Sequence, residues 1–428
     1  MKWSIFIYKL CKGNKTLLYN TLNHAIVIFD NNKLQKVSQK LPNADNSKII
    51  KDLKSMEFLI DENVNEEEMF LSSLLNEWND CGFLGLHILT TTACNFKCPY
   101  CYQSGISPSL LDNEKIKKVI DYIEKYVVKN KIKESNIEIT GGEPTTNWDN
   151  VEFFLNSIDK IFKKNKIKYK IFIVTNGFNF NKEKVDLIAK FNWCRAQITL
   201  DGPEKIHNNR RMLRNGDGTY KEIINNLKYI LNNNKIDKIN LRINYDNSNI
   251  LYIPGFLKYI KKEFGTDKII ISLGLITKTV NCSEANKYID QYGILEDEFL
   301  NNYIKLYKTA YKLGFHMSDI FSFDGMCTAK LKHSMVIEPN GNIVKCVSGV
   351  GREEFKVGNI FNGDVKDSNY LFIDKYKECL EKKCEFLPLC HTGCRFESMI
   401  KYNNFKKVNC KKDLLNKINA EILKINYF

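Results

Sequence analysis

"LGLHILTTTACNFKCPYC", residues 84–101, sets an apolar run directly against a cysteine-rich loop. The apolar half predicts a short buried strand. The second half places Cys94, Cys98 and Cys101 at gaps of three and then two residues. A structural zinc site closes with four ligands, commonly as two Cys-x-x-Cys pairs. No fourth Cys or His lies within the loop or follows it closely in the sequence. A cubane iron–sulfur cluster has four irons, each wanting a ligand. Three thiolates would leave one iron open to a substrate or cofactor.

Working outward, the strand-and-loop unit recurs. "NIEIT", "KIFIVT", "RAQITL", "INLRINY" and "KIIISLGLI" follow as short apolar runs, separated by amphipathic helices such as "NEKIKKVIDYIEKYVVKN" and "TYKEIINNLKYILNN". Six strand–helix repeats predict an α/β fold with a parallel sheet and right-handed crossovers, a partial (β/α)6 TIM-like barrel. In such a barrel the chemistry gathers at the C-terminal ends of the strands. The cysteine loop follows the first strand, "GGEP" (141–144) the second, "TNG" (175–177) the third, "LDGP" (200–203) the fourth and "RINYD" (242–246) the fifth. Each of these peptides alone is an ordinary turn; together, in order, they would converge on one mouth.

The cysteine spacing, with Tyr100 just before the last Cys, resembles the signature of the radical S-adenosylmethionine (SAM) enzymes. The resemblance covers about residues 84–318 and implies that Cys94, Cys98 and Cys101 hold a [4Fe-4S] cluster whose open iron binds SAM. It implies that "GGEP", here Gly141, Gly142, Glu143 and Pro144, lines the methionine amino group. The glycines permit close backbone approach and Glu143 offers a carboxylate. By the same resemblance Tyr100 borders the adenine, and Thr175, Asn176, Thr199 and Asp201 line the cofactor. Arg211 or Arg214, in "NNRRMLRNGDGTY", meets the SAM carboxylate. The implied chemistry is reductive cleavage of SAM to a 5′-deoxyadenosyl radical, which abstracts hydrogen from substrate, with flavodoxin or ferredoxin as reductant.

A second cysteine set follows, at 327, 346, 379, 384, 390, 394 and 410. Residues 319–428 carry many turn signals, as expected of a region organised by metal. The set resembles the SPASM extension of radical SAM enzymes that modify peptides and proteins, which implies two auxiliary [4Fe-4S] clusters. Carried over by position, Cys327, Cys346 and Cys394 would hold the first, and Cys379, Cys384, Cys390 and Cys410 the second. This chain departs at Cys379, which four residues separate from Cys384, where the family pattern leaves two and Glu381 stands. His333 is a candidate fourth ligand of the first auxiliary cluster, beside an open iron or a substrate thiolate.

Fourteen cysteines within 428 residues, with no secretion signal and no apolar run long enough for a membrane span, predict a cytosolic metal protein rather than a disulfide framework. Cys11, Cys81, Cys194 and Cys282 are isolated and are expected to be buried hydrophobes. The net charge of +14 suits an acidic partner or a solvated lysine-rich surface. Nucleic acid is the weaker reading, because no RNA-binding appendage is recognisable, although some radical SAM enzymes modify tRNA. Residues 1–83 read as a small α+β domain of strands and two helices.

Among SPASM-type enzymes two branches compete. Sulfatase maturases place an Asp directly after the second SPASM cysteine, where this chain has Val347. Maturases of ribosomally made peptides commonly carry an N-terminal unit that grips a leader peptide, often by β-strand addition, and residues 1–83 fit that part. The expectation is therefore a peptide maturase that forms a thioether or other crosslink in a precursor peptide with a leader.

Overall fold

The computed structural model describes residues 1–41, 47–79, 82–191, 194–277, 283–318, 327–365 and 370–428. They fall into two compact units that interleave along the chain. One takes in residues 81–320 and 331–368, the other residues 1–80, 321–330 and 369–428.

The first unit is built on an eleven-stranded sheet. Its middle is six parallel strands in sequence order: Phe83–Leu89, Glu134–Thr140, Lys168–Thr175, Cys194–Thr199, Lys238–Tyr245 and Ile269–Leu275. The first and sixth of these are not paired with each other, so the barrel is open. The short strand His316–Met317 adds to the sixth. On the other side Ser334–Ile337 pairs in parallel with the first strand and leads an antiparallel extension through Asn342–Val344 and Lys356–Asn359.

Alternation explains the layers. Along the fifth strand Ile239, Leu241, Ile243 and Tyr245 are buried, whereas Asn240, Arg242 and Asn244 are only half-buried. Period-two side chains put the first set against the helices and the second on the concave face. The helices obey the complementary rule. In Asn113–Lys129 the buried residues are Ile116, Val119, Ile120, Ile123 and Val127, at three- and four-residue spacing. Each contributes roughly 1.5–3 kcal/mol on burial. Asp112 caps that helix, its side chain accepting from the N–H groups of Glu114 and Lys115 at 3.1 and 2.9 Å. The lysine-rich "KKNKIKYK" spans the end of helix Trp148–Lys164 and the start of the third barrel strand.

The second unit holds an antiparallel sheet of Ile7–Lys12, Lys15–Asn20 and Ile26–Asp30. The run "KTLLYNTLNHAIVIFD" is thus two strands, broken by a turn in which His24 takes φ 63°. One face of the sheet packs, through Leu18 and Phe29, on Val37, Ile50, Leu53 and Phe58. The other, through Tyr8, Leu10, Leu17 and Tyr19, packs on Phe386, Leu389, Leu415 and Leu423. Chain ends far apart in sequence therefore share one core.

Of the isolated cysteines, Cys194 is buried as expected. Cys11 is exposed instead, because it lies opposite Thr16 on the sheet hairpin, its Sγ 3.4 Å from the Thr16 hydroxyl. Cys81 and Cys282 lie outside the described residues. No helix among the described residues is long and apolar enough to cross a membrane.

Candidate functional site

The loop after the first barrel strand is stitched to its neighbours by main-chain bonds. Gly142 N–H donates to Thr91 O and Glu143 N–H to Ala93 O, both at 2.9 Å. Neither Gly141 nor Gly142 has room for a side chain: a Cβ on the first would meet the Thr91 carbonyl oxygen, and on the second that of Ala93. Gly141 also takes φ +142°, which a side chain disfavours. The close approach expected of these glycines is therefore made to the cysteine loop. On the loop's far side Lys97 N–H donates to Met212 O at 2.9 Å and Arg214 N–H to Asn95 O at 3.1 Å.

Glu143 is fully buried. Its carboxylate accepts from the N–H of Asn176 at 2.6 Å, the hydroxyls of Thr175 and Thr145 at 2.7 and 2.6 Å, and the N–H of Thr145 at 3.1 Å. Burial pushes its carboxyl up, against the pull of those donors. It ties the ends of the second and third strands together and caps the short turn Pro144–Asn147. The Asn176 side chain in turn donates to Asn95 Oδ1 at 2.8 Å, beside Cys94.

Cys94, Cys98 and Cys101 interact electrostatically with one another. Desolvation raises the Cys94 thiol to about 11 and the Cys98 thiol to about 12, and Arg211 opposes both shifts. Without a bound cation, three neighbouring thiolates would be strongly disfavoured here. Arg211 is buried, over the Phe96 ring and 3.1 Å from the Tyr100 hydroxyl. Its Nε has no hydrogen-bond acceptor, and no carboxylate pairs with it among the described residues. Arg214 instead lies at the surface, its Nε on the Cys94 carbonyl at 2.7 Å.

Tyr100 is buried and donates a short hydrogen bond to Asp201. Asp201, fully buried, also accepts from Asn244 N–H at 3.1 Å and Arg210 Nε at 3.3 Å. Arg210 reaches both oxygens of Asp246 at 2.8 Å and the Tyr288 hydroxyl at 2.6 Å. The two carboxylates push its guanidinium up. Arg210, Asp246 and Tyr288 were not among the residues expected here; the "RR" at 210–211 and the Asp ending "RINYD" are the signals the sequence holds for the first two. Thr199 closes the fourth strand and is buried. The structure thus gathers Cys94, Cys98, Cys101, Tyr100, Gly141, Gly142, Glu143, Pro144, Thr175, Asn176, Thr199, Asp201 and Arg211 at the C-terminal ends of the first four strands.

In the second unit Cys379, Cys384, Cys390 and Cys410 form one electrostatically interacting set. Cys379 reaches it because the helix Ile373–Glu381 ends in a turn: Lys383 takes φ 47° and Cys384 N–H donates to Cys379 O at 3.2 Å. Cys327 and Cys394 likewise interact. Buried Lys330 donates to the carbonyls of His391 and, at 2.9 Å, Gly393, and burial lowers its ammonium to about 8. Cys346 and His333 belong to the other unit. There His333 is buried, its Nδ1 2.8 Å from the Tyr126 hydroxyl and its ring edge-on to Tyr126. Among the described residues no three His, Cys, Asp or Glu side chains are close enough to hold a single metal ion. A cubane spreads its thiolates over separate irons and tolerates wider spacing.

Residues 88–255 match the Radical SAM superfamily. Those residues form a radical SAM domain. Enzymes of this superfamily use SAM and a [4Fe-4S] cluster. The chain is 26% identical, over 71% of its length and 85% of the relative's, to the cysteine-type anaerobic sulfatase-maturating enzyme of Clostridium novyi. It is 25% identical to the radical SAM cyclopropyl synthase TigE of Paramaledivibacter caminithermalis, over 74% of this chain and 69% of that one. Its fold resembles native anSMEcpe with bound AdoMet and Cp18Cys peptide, with TM-score 0.60, 18% identity and coverage of 80% of this chain and 98% of that one. It also resembles Streptococcus suis SuiB bound to S-adenosylmethionine, with TM-score 0.54, 18% identity and coverage of 96% and 99%.

Proposed function

We propose that this radical SAM enzyme is a maturase that modifies a ribosomally made precursor peptide in the cytosol, forming a thioether or other crosslink. The observation that carries the cofactor part is the pair of desolvated thiols of Cys94 and Cys98, with Cys101 in electrostatic reach, beside a buried guanidinium that no carboxylate pairs among the described residues. Cys94, Cys98 and Cys101 would ligate three irons of the cluster. Arg211, rather than exposed Arg214, would take the SAM carboxylate. Tyr100, Gly141, Gly142, Glu143, Pro144, Thr175, Asn176, Thr199 and Asp201 would wall the cofactor. In this reading Glu143 acts mainly as a positioning residue, because four donors already hold its carboxylate. When bound, the cluster and SAM supply a carbon-centred radical able to abstract hydrogen from an unactivated C–H bond.

Cys379, Cys384, Cys390 and Cys410 would hold one auxiliary [4Fe-4S] cluster, and Cys327, Cys346 and Cys394 the other, its fourth iron left to substrate or solvent. His333 is the poorer fourth ligand, since its ring is packed on Tyr126. Residues 1–83, 84–318 and 319–428 would serve as leader-binding domain, radical SAM core and auxiliary-cluster domain. Among the described residues Ile7–Lys12 and Ile26–Asp30 each pair on one side only, so either edge could add a leader strand. Support for a peptide substrate comes from the likeness to a structure holding a Cp18Cys peptide. A cavity of about 470 Å³ also lies between the cysteine loop (Tyr102, Ser104–Ser109) and the strand extension (Glu338–Asn340, Arg352).

A second reading, sulfatase-maturase-like formation of formylglycine, is favoured by the Clostridium novyi relative. Against it, the residue after Cys346 is Val347, which opens a short 3-10 turn and supplies no carboxylate. Anaerobic reconstitution followed by iron and sulfide assay tests the cluster count: fewer than about eight irons per chain would count against this reading. Co-expression with a short open reading frame beside the gene tests the reaction. A loss of about two hydrogens per modification supports a crosslink, whereas an unchanged peptide mass would sink it.

A further inference from the structure

We propose that Arg242, on the concave face of the fifth barrel strand, is a recognition site for a carboxylate of the substrate peptide. The proposal rests on the peptide-maturase reading and names a chemical feature of that substrate. Three arginines crowd this end of the barrel, and their partners differ. Arg210 is neutralised by Asp201 and Asp246. Arg211 acts on the Cys94 and Cys98 thiols. Arg242 has only neutral partners: its Nε donates to Asn244 Oδ1 at 3.0 Å and its Nη1 to Ser272 Oγ at 3.2 Å. Its Nη2 has no acceptor and no carboxylate pairs with it among the described residues.

The carboxylates near it are committed elsewhere. Asp201 takes Arg210, Tyr100 and the Asn244 N–H. Glu138, on the same concave face, lies 3.1 Å from His87 Nδ1. The guanidinium is largely removed from water, and Asp201, which favours its charged form, makes no hydrogen bond to it, so the charge is costly to maintain. Burial accordingly disfavours its charged form. The chain nevertheless shapes a seat for it. Gly274, on the adjacent sixth strand, leaves the space that the guanidinium fills, since the atoms a Cβ there would meet most closely are those of that group. Strand pairing sets Arg242 opposite Ser272 and Thr199, so the guanidinium is held among rigid strands. A planar fork with free donors, in a water-poor hollow, suits a carboxylate that brings the missing negative charge. That carboxylate is either an Asp or Glu side chain or the free C-terminus of the peptide.

The test uses the reconstituted full chain with SAM and no reductant, so it is independent of whether turnover occurs. Three probes are titrated: N-acetylglutamate N-methylamide for a side-chain carboxylate, N-acetylglutamine for a terminal one, and N-acetylglutamine N-methylamide as the neutral control. At least one carboxylate probe should bind roughly tenfold tighter than the control. That preference should vanish in R242Q. It should also weaken in G274A, which displaces the guanidinium by a flexible shift while keeping the charge and the fold. Equal binding of all three probes to the unsubstituted chain, or a preference that survives in R242Q, overturns the proposal. Loss of SAM binding in R242Q would assign the arginine to the cofactor and overturn it too. Failure of the peptide-maturase reading would show separately, as an unchanged precursor mass in the co-expression experiment.

Discussion

The two cysteine sites are built on opposite principles. The three-cysteine loop hangs on the ends of parallel strands, and main-chain bonds from the "GGEP" turn and from residues 212–214 fix both of its flanks. Glu143 and Asp201, both fully buried, are satisfied by protein donors and organise the mouth without metal. The four-cysteine set has no such frame. Its cysteines sit on short helices and turns, where Phe372, Lys383, His391, Thr392 and Asn403 all take positive φ. Lys330 and Arg395 clasp the left-handed run 391–393 by its carbonyls, and Cys384 and Cys390 edge the core shared with the N-terminal sheet. The first site is preorganised for a cofactor. The second is expected to draw more of its stability from bound metal.

The contrast is broken most severely by removing thiols. C98S should abolish 5′-deoxyadenosine formation and lower the iron content by about four per chain, while the thermal unfolding of the chain stays near that of the unsubstituted protein. C384A should also cost about four irons, but 5′-deoxyadenosine should still form, uncoupled from peptide modification, and the melting temperature should fall clearly. If the two variants shift the melting temperature equally, the proposed difference in framing is wrong.

Next in size is Arg211. R211Q should weaken SAM binding about 10- to 100-fold, the loss expected for one charge-assisted hydrogen-bonded contact, with the iron content unchanged. Equilibrium dialysis with labelled SAM measures it. R214Q, which changes an exposed side chain on the Cys94 carbonyl, should shift binding far less. Equal losses would return the choice between the two arginines to the state in which the sequence leaves it.

G141A probes the frame itself. The new methyl group would press on the Thr91 carbonyl at φ +142°, costing on the order of 1–3 kcal/mol. A melting temperature lower by several degrees in the cluster-free chain is expected. An unchanged one would mean that the loop is not held as tightly as its hydrogen bonds imply.

What was legible in the sequence follows the same divide. The strands and their loops were readable because apolar alternation and turn peptides are local signals, and the motifs occur in strand order. Cys94, Cys98 and Cys101 stood out by their spacing, and their reading as cluster ligands rests on the family resemblance. The sharing of one core by Tyr8 and Leu17 with Phe386 and Leu415 was not, because no local pattern encodes a contact across the length of a chain. Arg242 and Lys330 were equally hidden. A lysine or arginine in a strand or turn looks solvent-facing until its neighbours are known, and only the structure shows that Gly274 and the His391 and Gly393 carbonyls receive them. Cys379 stood off the family spacing, and the left-handed turn at Lys383 is what brings it in.

The smallest expected effect tests whether the preorganised site is held by neutral as well as charged groups. His207 is fully buried; its Nδ1 accepts the Asp201 N–H at 3.2 Å and its Nε2 lies 3.0 Å from the Thr219 hydroxyl. Burial, with Arg211 and Arg210 nearby, holds its pKa well below the ordinary 6.5. The unfolded chain therefore binds a proton below that value that the folded chain refuses, so stability must fall as pH drops through about 6.5. The slope for one such group is at most about 1.4 kcal/mol per pH unit. H207Q keeps an acceptor for the Asp201 N–H but does not titrate. Cluster-free H207Q should lose less stability than the unsubstituted chain between neutral pH and pH 5, measured by urea unfolding. Parallel curves for the two proteins would show that the histidine is protonated, or free to leave, in the folded state, and that Asp201 is positioned by its charged partners alone.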